Sequence, residues 1–466
     1  MAGGRRSSRE HRGSPRELNR AARAEAWSRI LVAALTLACS CRTAERSPSP
    51  GVSAEAARHD PGGRDSPVPA TLTVLLPGSE SPFWQSVARH FEADHPGARV
   101  DLVEGPQSTD LRENIYTASL LAKDPTFDLV YMDVTWTAKF AAAGWLLPLD
   151  ASFPAAEQER FLPAALAAGV YDGRLYRMPV RTDIGVLYYR RDLLEAAHLA
   201  PPQTFDELAR AAARLQSPPR LWGFVWQGKQ YEGLVCDFVE VLSGCGGHWV
   251  DPRTLDVGLD RPEALAALSF LVSCVHAPAL SPPGVTIYEE EESRRLFQDG
   301  RAVFLRSWPY TWRLAQMPDS PVRGRVGVVP MVHAPGGRSA GTLGGWGLGV
   351  STFSRHPALA VEFIRALTSL AGQRRLCAPT GYAPARIESY SDPELLKDDP
   401  FLADLGRLHD FAVLRPPIPR YALASDILQR HLSAVLAGSE QPAAALHAAA
   451  NETRAMLAGA RLAMVP

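Results

Sequence analysis

Residues Thr71–Asp133 read TLTVLLPGSESPFWQSVARHFEADHPGARVDLVEGPQSTDLRENIYTASLLAKDPTFDLVYMD. Thr71–Leu76 is a short apolar run ended by Pro77-Gly78-Ser79-Glu80, which predicts a strand and then a turn. Phe83, Val87, Ala88 and Phe91 recur at helical spacing until His95-Pro96-Gly97 stops them. Ala98–Val103 predicts a second strand, Leu111–Ala122 a second helix and Phe127–Met132 a third strand. This β-α-β-α-β order predicts a parallel, three-layer α/β domain. Ligands of such sheets bind beyond the carboxyl ends of the strands. Two acids fall there: Glu80 after the first strand and Asp133 directly after the third. Either could cap a helix, since Asp133 precedes a helical stretch at Trp136–Ala143. Two at one edge are harder to dismiss.

Further along, Tyr171–Asp192 (YDGRLYRMPVRTDIGVLYYRRD) is apolar and aromatic around one carboxylate, Asp183, and predicts a strand or crossover. Thr204, with Glu207 three residues on, completes a capping box at the start of a helix. A second mixed α/β region then runs to about Val326. The Glu289–Glu292 run sits at the start of a helix ending near Phe297, where acids favour the helix dipole, and reads as a solvated face. Ala358–Leu370 and Ala443–Leu462 are amphipathic helices.

Two aromatic clusters stand apart: Trp308-Pro309-Tyr310-Thr311-Trp312 and Gly344-Gly345-Trp346-Gly347. Each lies beside an apolar strand-like run, Ala302–Leu305 or Leu348–Val350, and reads as a turn. Gly or Pro beside a Trp holds it at a turn, where its face can meet a flat ligand such as a pyranose. Two ordinary core tryptophans remain the alternative.

A chain of 466 residues suggests at least two domains, and 46% hydrophobic with 21% charged residues is ordinary globular composition. Eight Arg and three acids fall in the first 40 residues, leaving 41 basic and 47 acidic residues, a net of −6, which is no nucleic-acid footprint. The Arg-rich start, the short apolar core Ile30–Ala38 and Cys39-Ser40-Cys41 suit a signal peptide with a lipoprotein-like cleavage site. Cys39 or Cys41 would carry the lipid. Residues 42–70 are rich in Ser, Pro, Gly and Ala and read as a flexible tether. Export permits disulfides, and Cys236 with Cys245 is the closest pair among the four remaining cysteines. Cys245-Gly-Gly-His248 has zinc-like spacing at one end only, so no metal is expected, and no cofactor motif occurs.

Trp222–Glu240 (WGFVWQGKQYEGLVCDFVE), Trp308–Trp312 (WPYTW), Thr342–Trp346 (TLGGW) and Tyr188–Leu194 (YYRRDLL) together give a resemblance. Over roughly Leu72–Leu462 the chain resembles family 1 extracellular solute-binding proteins of ABC sugar importers, nearest to the trehalose- and maltose-binding members. The resemblance implies a two-lobed α/β clamshell of type II without catalysis, closing on a disaccharide and delivering it to permease subunits as a monomer. Lobe one would be 71–179 plus 330–368 and lobe two 180–329 plus 369–462, with three hinge crossings. Glu80, Arg112, Asp133, Gly344, Gly345 and Trp346 would hold the sugar from lobe one. Asp183, Trp308, Tyr310 and Arg415 would complete the site. Gln230, Tyr231 and Glu232 fit either added contacts or a structural role. Where close relatives carry Tyr two residues before the aspartate, this chain has Arg181, which leaves the disaccharide open. Two rivals remain: a secreted glycosidase using Glu80, Asp133 and Asp183, and a binding protein for a non-sugar solute such as a polyamine, against which Arg112 and Arg415 argue.

Overall fold

The computed structural model describes residues 70–463. The apolar segment, Cys39, Cys41 and nearly all of the tether lie outside the described residues. Among the described residues no helix is long and apolar enough to cross a membrane.

Two sheets organise the chain. The first contains β1 (Ala70–Pro77), β2 (Ala98–Gly105) and β3 (Leu129–Asp133), with β1 parallel to both of the others. Helices Ser81–Asp94 and Thr109–Leu121 make the crossovers, as the apolar spacing predicts. Val170–Tyr171 (β4) and Arg174–Leu175 (β5) form a small separate hairpin. Four strands from distant parts of the chain complete the first sheet: β6 (Met178–Ile184), β11 (Gly341–Val350), β12 (Ala383–Pro384) and β13 (Ala412–Val413). Its order is β12-β6-β11-β3-β1-β2, with β13 beside β11. The second sheet has the order β10-β7-β9-β8, built from β7 (Val186–Arg190), β8 (Trp222–Val225), β9 (Ala302–Ser307) and β10 (Val326–Pro330). Each sheet is flanked by helices, giving the two-lobed α/β arrangement.

Burial explains the layering. Leu72, Val74, Trp84, Phe91, Leu129, Tyr131, Leu348 and Phe363 belong to one core, around the first sheet. In the second sheet the period of two sends Leu187 to one face and Val186 and Tyr188 to the other. Each face has its own core, one with Phe224 and Phe238 and the other with Leu305 and Phe297.

The chain passes from the first sheet to the second at Gly185, between β6 and β7. A Cβ there would stand 1.7 Å from Glu240 Oε1 and 2.6 Å from Arg306 Nη2. Only glycine lets the crossing run against that buried ion pair. A return passage lies between β10 and β11. The next comes after Ala385, since β12 pairs with β6 and Leu376, Cys377 and Ala385 lie in the first core, whereas Leu395 and Phe401 pack with the second sheet.

Local signals translate well at caps. Thr204 Oγ1 accepts from Glu207 N–H while Glu207 Oε2 accepts from Thr204 N–H, closing the capping box. The cysteine pairing does not hold. All four described cysteines are free. Cys236 lies within the helix Glu232–Gly244 and Cys245 is its C-cap. Nine residues of helix separate their Cα atoms by about 13 Å, beyond the reach of a disulfide.

Candidate functional site

Three neighbouring strands of the first sheet make the floor of a cleft. Trp346 on β11 pairs with Arg181 on β6 and with Asp133 on β3, so these residues form one row across the sheet. Gly344 pairs with Asp183, two residues from Arg181, and strand alternation puts Arg181 and Asp183 on the same face. The Gly344–Gly347 cluster is therefore mid-strand, not at a turn as the glycines suggested. β11 is buried along its whole length. Gly345 has φ +117°, and a Cβ there would lie 2.6 Å from the Arg181 carbonyl. The register shifts between Trp346 and Gly347, a bulge that accommodates the ring.

The opposite wall comes from the second sheet. Trp308 follows the end of β9, at a turn into the short helix Tyr310–Ala315, as its neighbouring Pro309 implies. Its ring is held on three sides. The Arg306 guanidinium sits 4.0 Å from its centroid, a Gly344 Cβ would come within 3.2 Å of it, and its Nε1 donates to Glu290 Oε1 at 3.3 Å. Arg306 is itself fixed by Glu240, by Asp237 at 2.8 Å and by Gln227 at 3.1 Å. Trp312 does not face the cleft; it stacks on Phe401 with centroids 4.6 Å apart.

Between the walls lies a cavity of about 620 Å³, the size of a small-ligand site. Asp133, Asp183, Trp308, Tyr310, Gly344, Gly345, Trp346 and Arg415 all line it, eight of the ten residues singled out in the sequence. Glu80 and Arg112 do not. Glu80 is 4% exposed, with Oε1 taken by Arg181 and Oε2 by Tyr131 and Trp84. Arg112 is 2% exposed, donates to the Pro106 and Gln107 carbonyls and stacks 4.5 Å from the Trp346 centroid. Both support the floor from behind.

Arg415 joins the walls. Nη1 donates to Glu232 Oε1 at 2.5 Å, and Nη2 lies 3.3 Å from Asp133 Oδ1. Asp133 Oδ1 also accepts from the backbone N–H and the hydroxyl of Thr135, a local turn ahead of the helix Thr137–Ala142, whose N-cap is Trp136, so Asp133 does not take the capping role considered for it. Glu232 is further held by the Tyr421 and Ser425 hydroxyls. Gln230, Tyr231 and Glu232 all reach the cavity wall. Asp183 Oδ1 is buried and has no hydrogen-bond partner among the described residues. A buried polar atom without a partner costs about 1–3 kcal/mol, a cost that ligand hydroxyls can relieve. Burial pushes the Asp183 carboxyl up to about 6; Arg181 opposes this while Glu80 and Asp133 add to it.

Sequence reasoning missed several lining residues. Glu289 and Glu290 belong to the acidic run read as a solvated face, yet both line the cavity, and burial raises the Glu290 carboxyl. The run does open the helix Glu290–Gln298 with a capping box, and Glu291 and Glu292 are exposed as that reading has it; Glu290, turned under Trp308, departs from it. Tyr382, beside β12, comes from far along the chain, and no local pattern marks it. Arg181 carried a signal in its spacing from Asp183.

A sequence model described as "Bacterial extracellular solute-binding protein" matches residues 77–374. A probable ABC transporter-binding protein of Deinococcus radiodurans is 36% identical, over 76% of this chain and 86% of that protein. A maltotriose-binding protein of Pyrococcus abyssi is 26% identical, over 73% and 72%. Among solved structures, maltose-bound MalE3 of T. maritima superposes with a TM-score of 0.78 and 37% identity, covering 83% of this chain and 100% of that one. A ribitol complex of an Agrobacterium radiobacter solute-binding protein gives a TM-score of 0.74 and 26% identity, covering 84% and 100%.

Proposed function

The chain belongs to the bacterial extracellular solute-binding proteins, and from that premise we propose that its cleft captures a disaccharide such as trehalose or maltose for an ABC importer. The observation that carries this reading is the pairing of Trp308, clamped by Arg306, with the unpartnered Asp183 Oδ1 across one cavity. An aromatic face covers the C–H side of a sugar ring, and a carboxylate accepts its hydroxyls. One charged hydrogen bond contributes about 1.5–3 kcal/mol and one aromatic contact about 0.5–1.5 beyond its buried area. A few of each reach micromolar affinity, about −8 kcal/mol.

We place the lobes at about 70–184, 341–385 and 412–413 for the first, and 186–330 with 387–411 and 415–463 for the second, in place of the divisions at 179 and 368. Closure about the crossings at Gly185, 331–340, the stretch after Ala385 and the two that flank 412–413 would enclose the sugar. Family and fold are those of binding proteins rather than enzymes. Of the three acids a glycosidase would use, Glu80 is sealed behind the floor and Asp183 is tied to Arg181, which supports binding without cleavage. The chain acts outside the cytoplasm as a monomer, anchored by lipid on Cys39 or Cys41, and hands its sugar to permease subunits.

A thermal-shift screen with maltose, trehalose, maltotriose and ribitol tests the reading, because a ligand bound only by the folded state raises the melting temperature. A rise with at least one sugar, and chromatography showing that sugar intact, is the expected result. Cleavage abolished by Asp183→Asn would establish an enzyme instead. For the anchor, detergent-phase partitioning lost in Cys39→Ala or in Cys41→Ala identifies the lipidated residue, and aqueous partitioning of the wild type refutes it.

A further inference from the structure

Glu80 is closed off from the cleft, and Arg181 stands at the cavity in front of it. Arg181 is held from several directions. Its Nε–H donates to the Tyr131 hydroxyl at 3.3 Å, Nη1 to Asp183 Oδ2 at 2.5 Å and Nη2 to Glu80 Oε1 at 3.2 Å. Its Cζ lies 4.1 Å from the centroid of the Tyr382 ring. A guanidinium carries five N–H donors in a rigid fork, so two remain after these three bonds. Next to them, Asp183 uses Oδ2 for Arg181, while Oδ1 is buried and unpartnered among the described residues. Both residues line the same cavity.

We infer that Arg181 and Asp183 form a fixed donor–acceptor pair that binds two adjacent hydroxyls of the ligand, so that Arg181 sets which sugar the cleft prefers. One hydroxyl donates its hydrogen to Asp183 Oδ1, and the oxygen of its neighbour accepts from the guanidinium. A vicinal diol of a pyranose or an open-chain polyol has that complementary pattern. Arg181 shares its single charge between two carboxylates, so it holds no surplus to attract a phosphorylated or carboxylated sugar. The ligand class is therefore a neutral polyhydroxy compound. Glu80 and Tyr131 are positioning residues, orienting the guanidinium without touching the sugar.

This inference rests on the sugar-binding reading, and one calorimetric experiment separates the two. The full chain, Arg181→Gln, Arg181→Lys and Glu80→Gln are titrated with maltose, trehalose, maltotriose, ribitol and glucuronic acid. At least one neutral compound should bind the wild type, and glucuronic acid should bind at least tenfold more weakly than the best of them. Arg181→Gln should change the ratio of Kd between the two best neutral ligands by tenfold or more. Arg181→Lys, which keeps the charge but not the fork, should restore part of that ratio. Glu80→Gln should alter the ratio in the wild-type background and leave it unchanged when combined with Arg181→Gln. A uniform loss across all neutral ligands, or none, would overturn the inference while leaving sugar binding intact. Tighter binding of glucuronic acid would overturn it too, and silence from every compound would remove both. Should Arg181→Gln fail to fold, Arg181→Lys is judged by the same ratio.

Discussion

The Arg306 guanidinium stacks 4.0 Å from the centroid of the Trp308 ring and is itself buried between Asp237 and Glu240. One of these residues meets the cleft and the other holds it there, so their substitutions should part company. Trp308→Ala should weaken sugar binding by about 1–3 kcal/mol, the loss of an apolar contact and aromatic stacking. Its effect on apo stability should stay below the roughly 3–5 kcal/mol of a core Trp truncation. Arg306→Ala strands two buried carboxylates and should cost about 3–5 kcal/mol of stability. Calorimetry and thermal melting of both variants decide; unchanged affinity with a large stability loss in Trp308→Ala would make that ring core.

Arg415 reaches Asp133 on the first sheet and Glu232 at the start of a helix beside the second. Removing one partner of such a buried pair typically costs about 3–5 kcal/mol of stability. Arg415→Gln should therefore lower apo stability by about that amount and weaken sugar binding, and scattering should report a larger apo radius of gyration than in the wild type. Affinity within threefold of wild type would show that the bridge does not assist closure.

Asp183 should make binding pH-dependent. Its carboxyl titrates at about 6, above the usual 3.8, because burial disfavours the charge. The stability linked to this group is fully present below about pH 4 and is lost as pH rises through about 6. Sugar hydroxyls donating to Oδ1 favour the ionised form, so binding lowers the pKa and releases a proton. Arg181, Glu80 and Asp133 are the charged side chains that face the same carboxyl. Affinity should rise from pH 5 to pH 7, and binding heats at pH 6 should differ between buffers of high and low ionisation enthalpy. Asp183→Asn should abolish the difference. Identical heats in both buffers for the wild type would rule the linkage out.

Much of this site could be read from the chain because its signals are local. The β-α-β-α-β order of Thr71–Asp133 follows from apolar spacing and appears as β1, β2 and β3 with two crossover helices. Pro309 marks Trp308 as a turn residue, and the resemblance adds Arg415, which no local pattern marks. What escaped depends on distant contacts. Nothing near Glu80 shows that Arg181, 101 residues on, consumes its Oε1. Tyr382 reaches the cavity because β12 pairs with β6, and the Glu289–Glu292 run turns one acid under Trp308. The glycines around Trp346 signal close strand approach rather than a turn, and both need the same residue type.

On the proposed reading, one sugar binds between the two walls. Isothermal titration of the purified full chain with maltose, trehalose and maltotriose at pH 7.5 tests it most directly. The expected result is a 1:1 complex with at least one of them, with Kd of about 1 μM or tighter, and loss of measurable heat in the Trp308→Ala, Asp183→Asn double variant. Heats indistinguishable from dilution for all three sugars, in a protein that melts cooperatively, would contradict it.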